Sequence, residues 1–191
     1  NTISVINGTT NTISDTIELE YSPGMMSVNP TTNTIYIADY DENDFKTEIS
    51  VINGTTNKVI SVPIDIRHYP KIISVNPTTN MIYVSSEDRP PYDNKTISVI
   101  NATTNKVISD TIQLEYPPDI ISVNPSNITI YTEDNKYFKC KTDVSVINAT
   151  TNTAIKDTCD ESSPTIIAFN PTINKIYLKD SHSDKISVID A

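Results

Sequence analysis

One phrase recurs along the whole chain. Ser-Val-Ile followed by Asn or Asp begins at Ser4, Ser50, Ser98, Ser145 and Ser187. Asn-Pro recurs at Asn29, Asn76, Asn124 and Asn170, and Ile-Tyr ends at Tyr36, Tyr83, Tyr131 and Tyr177. Successive Ser positions are 46, 48, 47 and 42 residues apart. A repeat of that length, built from short β-branched runs and Asn/Thr/Pro turns, is one supersecondary unit. It cannot bury its own apolar face and must stack on copies of itself.

The unit from Lys71 to Ile112 shows the pattern. Residues 71–75 read as a strand, Asn76-Pro77-Thr78-Thr79-Asn80 as a turn, and residues 81–84 as the returning strand. Pro77 fixes φ and donates no hydrogen bond, so it belongs in the turn. After a polar loop come a third strand at 96–100, the turn 101–105 and a fourth strand at 106–112, giving an antiparallel meander. Val99 beside Ile100, and Ile72 beside Ile73, put apolar groups on both faces, so neighbours should cover both. Four-stranded antiparallel sheets covered on both faces at this spacing describe β-propeller blades; a solenoid would need shorter repeats of one or two strands.

The run Val28-Asn29-Pro30-Thr31-Thr32-Asn33-Thr34-Ile35-Tyr36-Ile37, followed by Ile49-Ser50-Val51-Ile52-Asn53, resembles the YVTN-type β-propeller repeat. That family occurs in archaeal and bacterial surface-layer and other cell-surface proteins. The resemblance spans the chain, although the name-giving tetrapeptide is half kept, as Tyr36-Ile37-Ala38-Asp39, Tyr83-Val84-Ser85-Ser86, Tyr131-Thr132-Glu133-Asp134 and Tyr177-Leu178-Lys179-Asp180. It implies an all-β propeller fold and a cell-surface location, and names no reaction.

Lettering strands a to d from the inside outward, residues 1–191 read as a single array. Strands c and d of a shared blade lie in 1–17, full blades in 24–63, 71–112 and 118–157, and strands a to c in 165–191. The first d strand can complete the last blade, but one c strand is then surplus. The expectation is an arc of a longer propeller, or a junction between chains, rather than a self-contained small ring.

The net charge of −10 argues against a nucleic-acid partner, whose affinity depends on Lys and Arg at phosphates, and against an anionic membrane surface. No apolar run is long enough to cross a bilayer as a helix. Reflecting the last c–d hairpin about Thr150 sets Cys140 nearly opposite Cys159, which predicts a disulfide and an oxidising compartment. Asn7, Asn53, Asn94, Asn101, Asn127 and Asn148 are glycosylation acceptors by sequence, consistent with an extracellular glycoprotein. The same Asn-Gly and Asn-Ala-Thr-Thr-Asn phrases are also turn chemistry in their own right.

Chemistry-bearing candidates are sparse. Asp39, Asp41 and Asn43 alternate like the start of a calcium loop, the one cofactor the sequence suggests. Asp44 and Ser50 stand where a calcium hand needs Gly and Glu, so a solvated acidic loop is the simpler reading. His68, with Asp65, and His182 are the candidate acid–base groups of a lyase-like propeller; loop histidines explain both as well. Tyr36, Tyr83, Tyr131 and Tyr177 read as packing between blades, while Tyr40, Tyr69, Tyr92, Tyr116, Tyr137 and Phe138 read as contact residues in loops.

The expectation is therefore a non-enzymatic, self-assembling structural or adhesion module of a surface-layer-like protein. Its partners are further copies of itself, other surface proteins or glycans. A propeller enzyme with a site near His68 and a sugar- or peptide-binding module are the alternatives.

Overall fold

The computed structural model describes residues 1–41, 46–60, 63–66, 70–86, 96–108, 112–114, 118–124, 129–134, 142–148, 153–160, 164–170, 172–180 and 185–190. Among them the chain is all-β, arranged as five antiparallel sheets in sequence order. Sheet 1 pairs β1 (Thr2–Asn7) with β2 (Thr12–Glu18). Sheet 2 runs β3 (Ser22–Asn29), β4 (Thr34–Asp41), β5 (Lys46–Asn53), and then two short pieces on β5, β6 (Lys58–Val59) and β7 (Ile64–Ile66). Sheet 3 repeats this with β8 (Pro70–Asn76), β9 (Met81–Ser86), β10 (Thr96–Asn101), β11 (Lys106–Val107) and β12 (Ile112–Gln113). Sheet 4 is β13 (Pro118–Asn124), β14 (Thr129–Asp134), β15 (Thr142–Asn148) and β16 (Thr153–Asp160). Sheet 5 is β17 (Pro164–Asn170), β18 (Lys175–Asp180) and β19 (Ile186–Asp190).

The sheets stack face on face in a propeller-like series, with β3 against β8, β8 against β13 and β13 against β17. The residues of one face meet those of the next. Tyr36, Ile49, Val51, Ile64 and Ile66 of sheet 2 close on Ile73, Val75, Ile82, Val84 and Ile100 of sheet 3. The same positions one repeat later, Tyr83, Ile97, Val99 and Ile112, close on Ile121 of sheet 4. Ile3, Val5, Ile17 and Leu19 of sheet 1 close on Ile35, Ile37 and Ile52 of sheet 2. Sheets 2 and 3 thus each have a forward face carrying the repeated Tyr, Tyr36 or Tyr83, and a backward face carrying the residue before it, Ile35 or Ile82.

Two details of the strands were not anticipated. The inner strands bulge by one residue just after Pro23, Pro70, Pro118 and Pro164, where the ring nitrogen offers no donor to the ladder. Of the expected fourth strand at 106–112, the described residues form β11 and β12, and 109–111 lie outside them. Ile100 faces Val107 and Ile97 faces Ile112, so two extra residues are accommodated between them, and sheet 2 does the same between Ile52↔Val59 and Ile49↔Ile64.

The hairpin turns share one mechanism. In Asn7-Gly8-Thr9-Thr10-Asn11, the Asn7 Oδ1 accepts from the amides of Thr9 (2.8 Å) and Thr10 (3.2 Å), and its carbonyl accepts from the Asn11 amide. Asn29, Asn53, Asn76 and Asn101 make the same pair of side-chain bonds to their own turns. The closing Asn has positive φ at Asn11, Asn33, Asn57, Asn80, Asn105 and Asn174, a left-handed conformation that Asn tolerates better than β-branched residues. The inner turns also lock sheet to sheet. Asn29 Nδ2 donates to Asn80 Oδ1 at 2.7 Å, and Asn124 Nδ2 donates to Asn174 Oδ1 at 3.2 Å. Between these two rungs, Asn76 Nδ2 is buried without a partner. The sequence explains it: Ile128 occupies the repeat position held by Asn80 and Asn174.

Restoring that rung with Ile128→Asn should raise stability by about 1–2 kcal/mol, the cost of one unsatisfied buried donor. The gain should vanish in an Asn76→Ala background, as read by paired urea titrations. Ser85, whose buried hydroxyl has no partner, stands where sheet 2 carries Ala38. Ser85→Ala should therefore stabilise by about 1 kcal/mol, seen as a melting-point rise of roughly 2–4 °C.

Candidate functional site

The strongest polar cluster lies where β4 and β5 leave the hydrophobic stack. Asp39 faces Glu48 across the ladder, and Glu48 faces Asp65 on β7. Opposite residues share a face, so three carboxylates form one row from the sheet interior to its rim. Asp39 has 0% exposure and Glu48 3%, whereas Asp65 is exposed. Alternation along β4 puts Asp39 on the backward face with Ile37, beneath sheet 1, so its burial follows from the same pattern that buries the aliphatics.

Ser50 Oγ donates to Asp39 Oδ2, and Asp39 Oδ1 is buried without a partner. Burial pushes the Asp39 carboxyl up to about 6; the Ser50 hydrogen bond opposes this and the Glu48 charge adds to it. The arrangement can hold a proton near neutrality, but full burial keeps it from meeting a dissolved substrate. It was legible only as an alternating acidic run. What marks it as buried is the returning Thr47, Glu48 and Ser50, all nearly inaccessible on β5.

The other sequence candidates distribute as follows. Of the calcium set, Asp39 is committed to Ser50, and Asp41 ends β4 opposite Lys46 with its side chain outside the described residues, as is Asn43 altogether. Among the described residues no group of three or more His, Cys, Asp or Glu is arranged to hold a metal ion. His68 and His182 lie outside the described residues, and Asp65 joins the carboxylate row. Tyr36 and Tyr83 are fully packed between sheets, where burial raises both hydroxyl pKa values; Tyr177 is half-buried.

Cys140 also lies outside the described residues, so the disulfide has no structural support here. A one-residue bulge between Val146 and Ile147 places Asp143 opposite Cys159, so the mirror-image reasoning that aligned 140 with 160 is displaced. Asn7, Asn53 and Asn101 sit at the c–d turns with Oδ1 engaged in the turn; Asn148 ends β15, and Asn94 and Asn127 are outside the described residues. A groove of about 430 Å³ opens between β2 and the 56–59 turn, bridged by Asn57 Nδ2 donating to Asp15 Oδ2 at 2.9 Å. Hydrogen bonds from Asn57 and the Thr16 amide hold the exposed Asp15 carboxyl below its usual range.

No family model and no curated protein matches the sequence. The structure, by contrast, matches 803 solved chains. One of them is Kuenenia stuttgartiensis Hydrazine Synthase, which superposes with a TM-score of 0.76 over 93% of this chain and 49% of that one, at 17% identity. The chain therefore spans about half the length of that relative in structure. At such identity the likeness carries the fold and not the reaction. It does correct one expectation. Fold type and sparse motifs point to a non-enzymatic chain, yet the neighbouring fold belongs to an enzyme, so the architecture gives no ground for that exclusion.

Because the Asp39 pKa rises from 3.8 to about 6 on folding, the unfolded chain releases this proton first as pH increases. Stability is thus highest below pH 4 for this group and falls through pH 6, by on the order of 2–3 kcal/mol. Asp39→Asn should remove that slope. Urea unfolding at pH 4.5 and 7.5 should show wild type losing ground to the variant at the higher pH.

Proposed function

We propose that this chain is an arc of a YVTN-type β-propeller serving as a structural or adhesion module of an extracellular, cell-surface protein. It works through contacts with proteins or glycans at its loops and end sheets. The observation that carries the reading is the forward face of sheet 5. Ile186 is 66% exposed and Val188 54%, whereas their repeat equivalents Ile49, Val51, Ile97 and Val99 are 0–2% exposed between sheets. A face of that composition is built to be covered. Among the described residues, no packing like that of β13 on β17 joins β17 to β3, which favours an arc over a closed small ring.

The surface location is supported by the acidic charge, which keeps a crowded protein soluble, and by acceptor Asn residues at successive c–d turns. Such a scaffold is compatible with catalysis elsewhere in a larger protein.

Antibody raised against the purified chain should label intact source cells. Labelling only after permeabilisation would sink the surface reading. In sedimentation, wild type should associate with increasing concentration and Val188→Asp should remain monomeric; equal behaviour of the two would remove sheet 5 as a contact face.

A further inference from the structure

Unpaired polar atoms are not spread evenly along the stack. Among the described residues, six buried side-chain atoms have no hydrogen-bond partner, and four of them gather at the joint between sheets 3 and 4: Asn76 Nδ2, Thr79 Oγ1, Tyr83 Oη and Ser85 Oγ. Tyr83 packs with Ile97, Val99 and Ile112 against Ile121 of sheet 4. Ser85 lies two residues further along β9, on the same face, opposite Ile97. Asn76 and Thr79 belong to the adjoining inner turn, and Thr79 lies beside the Tyr83 hydroxyl without completing a hydrogen bond to it.

The joint on the other side of sheet 3 is satisfied at the same positions. Asn29 Nδ2 donates to Asn80 Oδ1, the Tyr36 hydroxyl lies beside both Thr32 and Thr34, and Ala38 stands at the Ser85 position. Beyond sheet 4 the rung returns, from Asn124 to Asn174. The sequence accounts for the difference: Met81 stands in place of Thr34, Ser85 in place of Ala38, and Ile128 where Asn80 supplies the acceptor. Each orphaned group regains its hydrogen bonds in water when the faces part, so this joint gives up less on opening than its neighbours do. Where each sheet is held by the next, the weakest joint sets the limit of a cooperative unit.

We propose that the joint between sheets 3 and 4 is a built-in parting line, from which sheets 4 and 5 open as one cooperative unit while sheets 1 to 3 stay formed. Opening bares the Tyr83, Ile97 and Val99 face of sheet 3 without dissolving the sheets behind it. This device goes beyond the surface role proposed above and does not depend on it.

The test is native-state hydrogen exchange of the full chain in low urea, read strand by strand by mass spectrometry. Strands β13, β14, β15, β17 and β18 should exchange together, at a urea concentration that leaves β4, β5, β9 and β10 protected. Ile128→Asn and Ser85→Ala should each lower the opening constant of sheets 4 and 5 by about five- to ten-fold. Ala38→Ser, which sets the same hydroxyl into the joint between sheets 2 and 3, should leave that constant unchanged. The inference is overturned by a single exchange step shared by sheets 2 to 5, or by sheet 5 exchanging ahead of sheet 4, which is fraying from one end. It is equally overturned if neither Ile128→Asn nor Ser85→Ala changes the opening constant, or if Ala38→Ser lowers it as much as they do.

Discussion

Every feature of this molecule depends on sheets that are apolar on both sides. A strand such as Thr96-Ile97-Ser98-Val99-Ile100-Asn101 presents Ile97 and Val99 to one neighbour and Ile100 to the other, and all three are buried. Such a sheet has no solvated face to fall back on, so its stability is shared with the sheets before and after it. The polar elements are fitted around that requirement: turns at the sheet ends, the buried Asp39 and Glu48 carboxylates on the face of sheet 2 toward sheet 1, and further charges on the rims.

The turns convert a loose stack into one with fixed registration. Asn29 and Asn76, at the start of their inner turns, each tie down two amides of their own loop, and Asn29 and Asn124 reach to the next sheet. Hydrophobic faces alone tolerate sliding by a residue pair; a short amide-to-amide bond does not. The repeat breaks this rule once, at Ile128, and the cost is recorded as the unpartnered Asn76 amide.

Much of this was legible in the chain. Adjacent β-branched residues gave away the two-sided sheets, and Asn-x-Thr-Thr-Asn gave away the turns, because few side chains both accept from the following amides and adopt positive φ. The two-residue shift of register along the fourth strands is hidden, since it leaves the apolar alternation in step on either side. The bulges after the inner prolines are hidden because one extra residue at a strand end leaves no mark in the apolar pattern. Asp39 looks like loop in the sequence because Asp and Glu cluster there; only pairing with β5 puts it indoors. The expected Cys140–Cys159 pairing rests on a mirrored hairpin; Cys140 lies outside the described residues, and the observed register sets Asp143 opposite Cys159. The enzymatic question was not legible at all, because sheets like these set no reaction.

The inner-turn amides have one further consequence. In both observed rungs the NH2 group belongs to the earlier sheet and the oxygen to the later one. The stack therefore has a chemical arrow. A sheet offered upside down would bring amine to amine or oxygen to oxygen, and its hydrophobic match would not compensate for that clash. Within the chain, successive sheets therefore follow one another in a single sense, set by which amide group each turn leaves free.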